Sequence, residues 1–403
     1  MAIIHRAIIR TISGLLSDNP IVLVEGPPRC GKSTIARQLA ASTPSGAILA
    51  DARLREGRAL LAAPNDVSAA RPVILDNASE RDYSTLAAWA DGGAIGGQGD
   101  ARRPRFVLVG GPFRPPRASR PASPLAPSRT DAPALEAGPF RLFEAGRASV
   151  RRLWLRGGYP EAYCASSDEA ALSWLEGYAA DIACAAGAPR GRADTTAFFA
   201  GLLEEAARHD GEAFNENGAA RLLGVSRPTI VRAAEYLERA GVLLSLPAYG
   251  AENGPASRPG VRRIARSPAL YLRDSGLYHA LIGVRSADEL AMRPREAAAS
   301  WTGFVVAQAM AALPEGAAIS RYSSADGAAL DIVVERDGRP VVTAVARRYR
   351  PSSVERSISY AARTPSFAGA ERFIVVPDGE ERQLSGGFVV SSLGSFLERL
   401  SSA

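Results

Sequence analysis

The sequence predicts an α/β protein whose N-terminal part is built on a parallel β-sheet. Two observations support this fold class. A glycine-rich loop stands between an apolar run and a helical segment, and further short apolar runs alternate with helices over the first 110 residues. Strands of a parallel sheet are covered on both faces, so their sequences are continuous apolar runs. A helix-turn-helix pattern later in the chain adds a helical domain.

The first strand is predicted at residues 21–24, and the glycine-rich loop follows it. Residues 26–33 read GPPRCGKS and fit the phosphate-binding pattern G-x-x-x-x-G-K-[ST], and residues 34–40 favour a helix. In such a loop the glycines let backbone N–H groups surround a phosphate, and the helix N-terminus adds partial positive charge. The order of strand, loop and helix therefore predicts a nucleotide site that binds ATP and Mg²⁺.

Eight residues of the loop and of the helix start are the predicted cofactor ligands: Gly26, Pro27, Arg29, Cys30, Gly31, Lys32, Ser33 and Thr34. Lys32 is expected to reach the β- and γ-phosphates, and the Ser33 hydroxyl is expected to bind Mg²⁺. Lys32 is also the only lysine among 48 basic residues. A bias toward arginine codons explains why lysine is rare, but it does not explain why the single lysine stands in this loop.

The second half of the site is predicted at the end of residues 72–75, where Asp76 follows a buried strand and would bind Mg²⁺. ATPases that cleave ATP usually place a glutamate directly after this aspartate. Here that position is Asn77, whose amide can hydrogen-bond a water but cannot accept its proton. Glu80 is the alternative carboxylate, so no catalytic residue is assigned and hydrolysis stays open.

Two more strands are predicted in the same sheet, at residues 48–51 and 105–109. The second of them ends in Gly110 and Gly111, where a polar residue that senses the γ-phosphate was expected.

Composition limits the class of protein. At 403 residues the chain is expected to form two or three domains, and 46% hydrophobic with 22% charged residues is globular composition. No apolar run reaches the roughly 18–20 residues that cross a bilayer, and no signal peptide is evident. A soluble, cytoplasmic protein without a membrane partner is expected. Three cysteines and three histidines, widely spaced, exclude a disulfide scaffold and a zinc site.

Residues 112–139 contain eight prolines and predict a loop or a disordered segment. Between residues 101 and 156 twelve arginines face three acidic residues, a local excess of +9 against +6 for the whole chain. Such a segment can bind nucleic acid through phosphate contacts, and a solvated linker is the equally weighted alternative.

Residues 217–232 predict a helix-turn-helix. A short helix ends at Gly224, and Ser226 is expected to cap a second helix with Pro228 in its first turn. Residues 242–246 would begin a wing. The predicted core positions of this unit are Leu222, Leu223, Val225, Ile230, Val231, Ala234 and Leu237. Arginines on the second helix are offset by Glu235 and Glu238, so both DNA binding and packing against protein stay open.

Three later segments resemble signature segments of a large group of uncharacterised prokaryotic ATPases: residues 153–161 (LWLRGGYPE), 271–277 (YLRDSGL) and 301–305 (WTGFV). Those proteins join an AAA-type P-loop domain to a winged helix and a C-terminal domain resembling restriction endonucleases. The resemblance runs along residues 1–400 in the same order. It implies three domains here, at 1–150, 151–285 and 286–403, and it does not supply a cellular role.

The resemblance also implies where this chain departs from the family. The usual Asp-Glu pair is Asp76-Asn77, and the Gly-Arg segment after the sensor strand is replaced by the proline-rich stretch. Nuclease-like domains place a helix Glu, a strand Asp and a Glu-x-Lys around Mg²⁺, where the carboxylates hold the metal and the lysine helps to activate water or stabilise charge. The corresponding residues here are Thr302, Asp331, Ala344 and Ala346. One carboxylate cannot assemble that site, so the domain is expected to be an inactive nuclease and Asp331 to be structural.

The leading hypothesis is an ATP-binding AAA-type protein with slow or no hydrolysis, in which nucleotide occupancy acts as a switch on the winged helix and the nuclease-like domain. An active AAA-type ATPase and a DNA-binding protein with a vestigial P-loop are the alternatives. The partners left open besides ATP are nucleic acid, a second copy of the chain and another protein.

Overall fold

The structure is a computed structural model of the chain. It describes residues 4–91, 104–111, 132–187, 193–249, 268–314, 317–323, 329–336, 339–350, 354, 367, 369–385 and 387–401. The chain forms two compact units. The first comprises Met1–Pro139 with Arg239–Gly241, and the second comprises Phe140–Glu238 with Val242–Ala403.

The first unit is built on a five-stranded parallel sheet, as the sequence predicts, in the order β2-β3-β4-β1-β5. Its strands are β1 (Ile21–Glu25), β2 (Ile48–Asp51), β3 (Val73–Ala78), β4 (Phe106–Gly110) and β5 (Ala134–Glu136). Its helices are α1 (Ile8–Asp18), α2 (Lys32–Ser42), α3 (Arg55–Ala62) and α4 (Glu80–Asp91). Strands β1 and β4 bury four residues in succession, which is the pattern of a sheet covered on both faces.

Strand β5 corrects part of the sequence prediction. Residues 112–139 are predicted as loop, but Ala134–Glu136 pair in parallel with β1. The strand has only three residues and none of them is buried, so it leaves no apolar periodicity to detect. Residues 112–131, which carry most of the prolines and arginines of that segment, lie outside the described residues.

The second unit begins with helices and a two-stranded antiparallel sheet. The helices are α5 (Leu142–Ala145), α6 (Val150–Arg156), α7 (Pro160–Tyr163), α8 (Asp168–Gly187), α9 (Ala193–Arg208), α10 (Glu216–Leu222), α11 (Arg227–Arg239), α12 (Ser275–Leu281), α13 (Ala287–Ala291) and α14 (Pro294–Ala312). Strands β6 (Leu243–Leu246) and β7 (Ala269–Leu272) pair after α11. Two helices followed by this strand pair agree with the predicted order of a winged helix, which stays a prediction.

One predicted core position of this region is wrong. Leu222 is 60% exposed, whereas Ala219 and Ala220 of the same helix are buried. Leu222 is the last residue of α10, where the apolar face has already turned away from the core. Leu223 takes over at the next position, because a Cβ on Gly201 of α9 would lie only 2.7 Å from its side chain.

A six-stranded mixed sheet completes the second unit, in the order β12-β13-β11-β10-β9-β8. Its strands are β8 (Ala318–Ser323), β9 (Ala329–Arg336), β10 (Arg339–Val345), β11 (Glu371–Val376), β12 (Arg382–Gln383) and β13 (Phe388–Ser392), and α15 (Leu393–Ser401) packs beside them. Whether this domain is nuclease-like stays a prediction. None of the helices in the described ranges combines the length and apolar character needed to cross a membrane.

Candidate nucleotide-binding site

The phosphate loop connects β1 to α2 at the carboxyl edge of the parallel sheet, where ligands of such sheets bind. Gly31 stands just before α2 with φ +94°, a left-handed conformation that glycine adopts without strain. Arg29 also has positive φ, +58°. These two positive φ values shape the turns of the loop beside the backbone N–H groups at the start of α2. Phosphate-binding loops have this kind of backbone.

The loop is packed from behind by the chain that follows β5. A Cβ added to Gly26 would lie 2.0 Å from the carbonyl oxygen of Ala137. The same oxygen accepts a hydrogen bond from the thiol of buried Cys30 at 2.8 Å. Burial raises the pKa of the Cys30 thiol. Gly26 is therefore required for close packing, and Cys30 serves as a neutral donor that ties the loop to its support.

Arg6 is a third support that the sequence did not reveal. It is 3% exposed and donates from Nη1 to the Cys30 carbonyl at 2.9 Å and from Nη2 to the Gly138 carbonyl at 2.8 Å. Its backbone N–H donates to Gln38 of α2. A buried arginine with carbonyl partners rigidifies the groups that it joins. No sequence motif marks it, because its partners lie 24 and 132 residues away.

Lys32, the predicted phosphate ligand, donates from Nζ to the carbonyl oxygens of Gly26 at 2.8 Å and Pro27 at 2.7 Å. Its ammonium thus lies over the loop that would hold the phosphates. Burial lowers the pKa of Lys32, and the negative charge of Asp76 acts in the opposite direction. The carboxyl ends of β1 and β3, which carry the two predicted halves of the site, lie at the same edge of the parallel sheet.

The residues present fit ATP with Mg²⁺. Ser33 is exposed at the first turn of α2, and within the described part of the chain its hydroxyl has no hydrogen-bond partner. Asp76 lies in β3, which β4 separates from β1. A hydroxyl and a carboxylate oxygen are ligands that Mg²⁺ accepts beside phosphate oxygens. Thr34 is the third residue of α2, and its backbone N–H donates a hydrogen bond to the Gly31 carbonyl oxygen.

Asn77 has an unusual backbone. It is the extra residue of a β-bulge between Asp76 and Ala78, with φ +55°. Its N–H donates to the Asp76 carboxylate at 2.9 Å. The bulge brings the Ala78 carbonyl against β4, where a Cβ on Gly110 would lie 2.1 Å from it. Gly110 therefore stands at this strand end because no larger residue fits, which explains why the expected polar residue is missing.

The Asn77 side chain is held by a neighbouring strand. Its Nδ2 donates to Asp51 Oδ2 at 2.8 Å, and Asp51 pairs in register with Asp76. Arg53 donates to both oxygens of Asp51, from Nε at 3.0 Å and from Nη2 at 2.8 Å. Hydrogen bonds from Arg53 hold the pKa of Asp51 well below its usual range. The sequence predicts strand β2, but no sequence pattern predicts a role for Asp51 or Arg53.

Glu80, the alternative carboxylate, is exposed as the first residue of α4. The turn before it is organised by Asp82, which accepts from the backbone and hydroxyl of Ser79 and from Arg58 Nη1 at 2.7 Å. None of these contacts orients the Glu80 side chain. The geometry therefore favours Asn77 and Asp51 over Glu80 as the ordered polar groups beside Asp76.

The segments that carry the family resemblance meet inside the second unit. Asp274 is buried and accepts from the N–H of Gly158 at 2.7 Å and from that of Leu277 at 2.9 Å. Gly157, at φ +73°, has no room for a Cβ against this carboxylate. Burial raises the pKa of Asp274 to about 6. These contacts cap helix α12 and give the residues a structural role.

The nuclease-like positions do not form a cluster of ligands. Asp331 accepts from the Val345 N–H at 2.7 Å, and burial raises its pKa to about 6. The Thr302 hydroxyl donates to Ala298 of its own helix. Among the residues that the structure describes, no three His, Cys, Asp or Glu side chains lie close enough together to hold a metal ion.

Comparison with known proteins adds relatives without an assigned activity. Residues 147–288 match a domain of unknown function, DUF8612. Uncharacterised proteins of Mycobacterium bovis and Mycobacterium tuberculosis are each 33% identical over 240 residues, 59% of this chain and 51% of theirs. The chain thus spans about half the length of the curated relatives that it matches.

Solved structures give weaker likenesses. A Walker-type ATPase of Pyrococcus abyssi covers 70% of this chain and 96% of its own at 15% identity, with a TM-score of 0.43. A RuvB variant of Thermotoga maritima covers 66% and 92% at 16% identity, with a TM-score of 0.30. The assignment of the site therefore depends on its own geometry.

Proposed function

We propose that this chain binds ATP with Mg²⁺ at residues 26–34 and acts as a nucleotide-dependent switch that hydrolyses ATP slowly. The observation that carries the proposal is the supported phosphate loop, over which the Lys32 ammonium lies, bonded to the Gly26 and Pro27 carbonyls. A loop held from behind by Arg6 and Ala137 is preorganised, so little ordering cost opposes phosphate binding.

Each side chain has a definite task in this proposal. Backbone N–H groups between Gly26 and Ser33 surround the β-phosphate, and Lys32 leaves its two carbonyl partners to neutralise the β- and γ-phosphates. Ser33 and Asp76 hold Mg²⁺, which neutralises the phosphate charge that develops during cleavage.

Slow hydrolysis follows from the same geometry. Neither Asn77 nor any ordered carboxylate beside it can take a proton from water, because Asp51 is already paired with Arg53. Absence of a general base costs roughly 10²–10⁴ in rate. From a median enzyme rate of about 10 s⁻¹, turnover of about 0.1 to 0.001 s⁻¹ is expected.

The decisive experiment measures nucleotide binding with and without Lys32. Thermal unfolding of the wild-type chain and of Lys32→Ala is followed while ATP and Mg²⁺ are titrated. A ligand at 100 times its Kd stabilises a protein by about 2.7 kcal/mol, so the wild-type midpoint should rise clearly while that of the variant stays constant. Equal shifts in both chains would contradict binding at this loop.

Mg²⁺ is tested with Asp76→Asn, which keeps the size of the side chain and removes its charge. Wild-type affinity for ATP should fall when Mg²⁺ is replaced by a chelator, and the variant should show a smaller difference.

The proposed switch is tested by hydrogen exchange of α11, which is compared with and without ATP and Mg²⁺. Unchanged exchange throughout the second unit at saturating ATP would argue against a switch.

Nucleic-acid binding is the second candidate function, favoured by the exposed arginines of α11. Arg232 is exposed, and exposed Arg227 pairs with Glu216 at 2.6 Å. Phosphate contacts make binding strongly salt-dependent. Fluorescence anisotropy with a DNA duplex at low and high salt tests this candidate. Binding that Arg232→Gln leaves unchanged would remove α11 from the contact surface.

A further inference from the structure

The orientation of the Asn77 amide is fixed by its partner. A carboxylate only accepts hydrogen bonds, so the atom of Asn77 that faces Asp51 Oδ2 at 2.8 Å must be the amino nitrogen Nδ2. The amide oxygen Oδ1 then occupies the other branch of the side chain. An exposed Asn77 thus presents an acceptor in a single orientation at the carboxyl edge of the sheet, next to Asp76.

Asp51 has no acceptor site left for a water molecule. Its Oδ1 accepts from the backbone N–H of Arg53 at 2.9 Å and from Arg53 Nε at 3.0 Å. Its Oδ2 accepts from Arg53 Nη2 and from Asn77 Nδ2, both at 2.8 Å. A carboxylate offers about four lone-pair sites, so these four donors saturate it. Asp51 therefore holds Asn77 in place and cannot itself activate water.

The backbone of Asn77 is fixed as well. Its φ of +55° is a left-handed conformation that asparagine tolerates better than most residues. Its N–H donates to Asp76 Oδ1, so main chain and side chain are held by two different carboxylates. Non-glycine residues in sparsely populated backbone conformations occur preferentially at functional sites.

From this geometry we infer that Asn77 is a catalytic residue that positions the attacking water, with Asp51 as its positioning residue; the inference rests on the proposed ATP site. The Asn77 amide oxygen accepts a hydrogen bond from the water. The water oxygen then bonds to the γ-phosphorus while the bond from phosphorus to the β–γ bridging oxygen breaks. One proton of the water stays on the released phosphate and the other passes to solvent, and ADP leaves with the bridging oxygen.

An amide suffices for this task because phosphoryl transfer passes through a loose transition state. Such reactions depend on placing the nucleophile and on charge stabilisation, and an amide side chain orients the water in some P-loop enzymes. Asn77 is therefore a weaker catalytic group than the glutamate that usually follows the aspartate, but it still has a catalytic role. The inference predicts measurable turnover that depends on Asn77 and Asp51 and is independent of Glu80.

Three variants of the full chain test the inference. Asn77→Gly removes the amide but tolerates the positive φ, so the bulge is kept. Asp51→Asn keeps the size of the positioning residue and halves its acceptor capacity. Glu80→Gln removes the alternative carboxylate. Two readouts are compared. The first is the steady-state hydrolysis rate. The second is the affinity for the complex of ADP, aluminium fluoride and Mg²⁺ relative to the affinity for a non-hydrolysable ATP analogue.

We expect Asn77→Gly to lower kcat by roughly 10²–10³-fold, the cost of removing one preorganised polar contact. Its affinity for the ATP analogue should stay at the wild-type value, whereas the aluminium fluoride complex, which mimics the transition state, should weaken. Asp51→Asn should also weaken binding of the aluminium fluoride complex without weakening that of the ATP analogue, and its loss of kcat should be smaller. Glu80→Gln should behave as wild type. A purely structural role of Asp51 would change both affinities together.

Three results would overturn the inference. These are wild-type hydrolysis rates in Asn77→Gly, a kcat loss in Glu80→Gln with none in Asn77→Gly, and a wild-type chain that binds ATP without hydrolysing it. Failure of the ATP site itself is recognised separately, because wild type and Lys32→Ala would then bind the ATP analogue equally poorly.

Discussion

The Cys30 thiol donates a hydrogen bond of 2.8 Å to the carbonyl oxygen of Ala137, 107 residues further along the chain. Ala137 also donates its N–H to the Glu25 carbonyl, the last of β1. The phosphate loop is therefore braced by the residues that follow β5. The conformation of the loop depends on this distant segment as well as on its own glycines.

Gly26→Ala tests that brace. The added Cβ would meet the Ala137 carbonyl at 2.0 Å, so backbone must move, at a typical cost of about 1–3 kcal/mol. Denaturant unfolding should show this loss, and ATP affinity should fall with it.

The matched control is Gly14→Ala in the middle of α1, where an added Cβ meets nothing within 4 Å. It should stabilise the chain by roughly 0.5–1 kcal/mol, the helix preference for alanine over glycine. If the two variants unfold at the same denaturant concentration, the brace is not what constrains Gly26.

A second prediction concerns Ser300 in the second unit. His279 Nδ1 lies 3.0 Å from the Leu155 carbonyl and must donate to it, so Nε2 accepts from the Ser300 hydroxyl at 2.6 Å. Trp154 Nε1 donates to the same hydroxyl at 2.8 Å. Burial lowers the pKa of His279 to about 4, which keeps the imidazole neutral.

Ser300→Ala leaves the two partners unpaired, and each buried unsatisfied group costs about 1–3 kcal/mol. The free energy of unfolding should fall by at least that amount. The control is Thr302→Ala on the same helix. Thr302 is only half-buried and its hydroxyl bonds to Ala298 of its own helix, so this change should affect stability less than Ser300→Ala. Equal losses in the two variants would show that the buried network contributes nothing.

The third prediction follows from Asp210, which is buried and accepts from the Leu272 N–H at 2.6 Å. Burial raises its pKa to about 8, far above the ordinary value of 3.8. Between these values the folded chain binds a proton that the unfolded chain lacks, so stability falls as pH rises. Above pH 8 the contribution of this group is lost completely.

Asp210→Asn stays neutral at every pH and keeps the acceptor for Leu272. Stability of the variant should therefore decline less than that of wild type between pH 6.5 and 8. The pKa values of Asp274 and Asp331 are about 6, and both residues are present in the variant as well as in wild type, so their titration affects the two curves equally. Parallel curves for the two proteins from pH 6.5 to 8 would refute a protonated Asp210.

Much of the first unit was predictable, because continuous apolar runs and the GPPRCGKS motif are local signals. Strands β1 to β4 and the helix after the loop lie where the sequence predicts them. The supports of the site were not predictable, since Arg6, Ala137 and Asp51 reach it only through the fold. Asn77 was identified at the glutamate position, but its left-handed backbone and its bond to Asp51 depend on a bulge that no sequence pattern encodes.

The fourth prediction is that the C-terminal domain does not cleave nucleic acid. Thr302 and Ala344 stand where nuclease-like domains have metal-binding carboxylates, and Ala346 stands where they have a lysine. Asp331 is engaged with Val345. Plasmid, linear duplex and single-stranded DNA should stay intact with Mg²⁺ or Mn²⁺. Cleavage by wild type that disappears in Asp331→Ala would prove this prediction wrong.

The last prediction is that Asn77→Glu does not create a faster enzyme, although glutamate is the usual residue of ATPases at this position. Most non-glycine side chains pay about 1–2 kcal/mol in the left-handed region, which Asn77 occupies at φ +55°. A carboxylate there would also face Asp51 in place of the amino group that now donates to it, so repulsion replaces a hydrogen bond. We therefore expect a lower unfolding midpoint than in Asn77→Gly and a hydrolysis rate no higher than wild type. Thermal unfolding and steady-state ATP hydrolysis measure both. A stable Asn77→Glu variant with faster turnover would show that the bulge can rearrange and that only the carboxylate was missing.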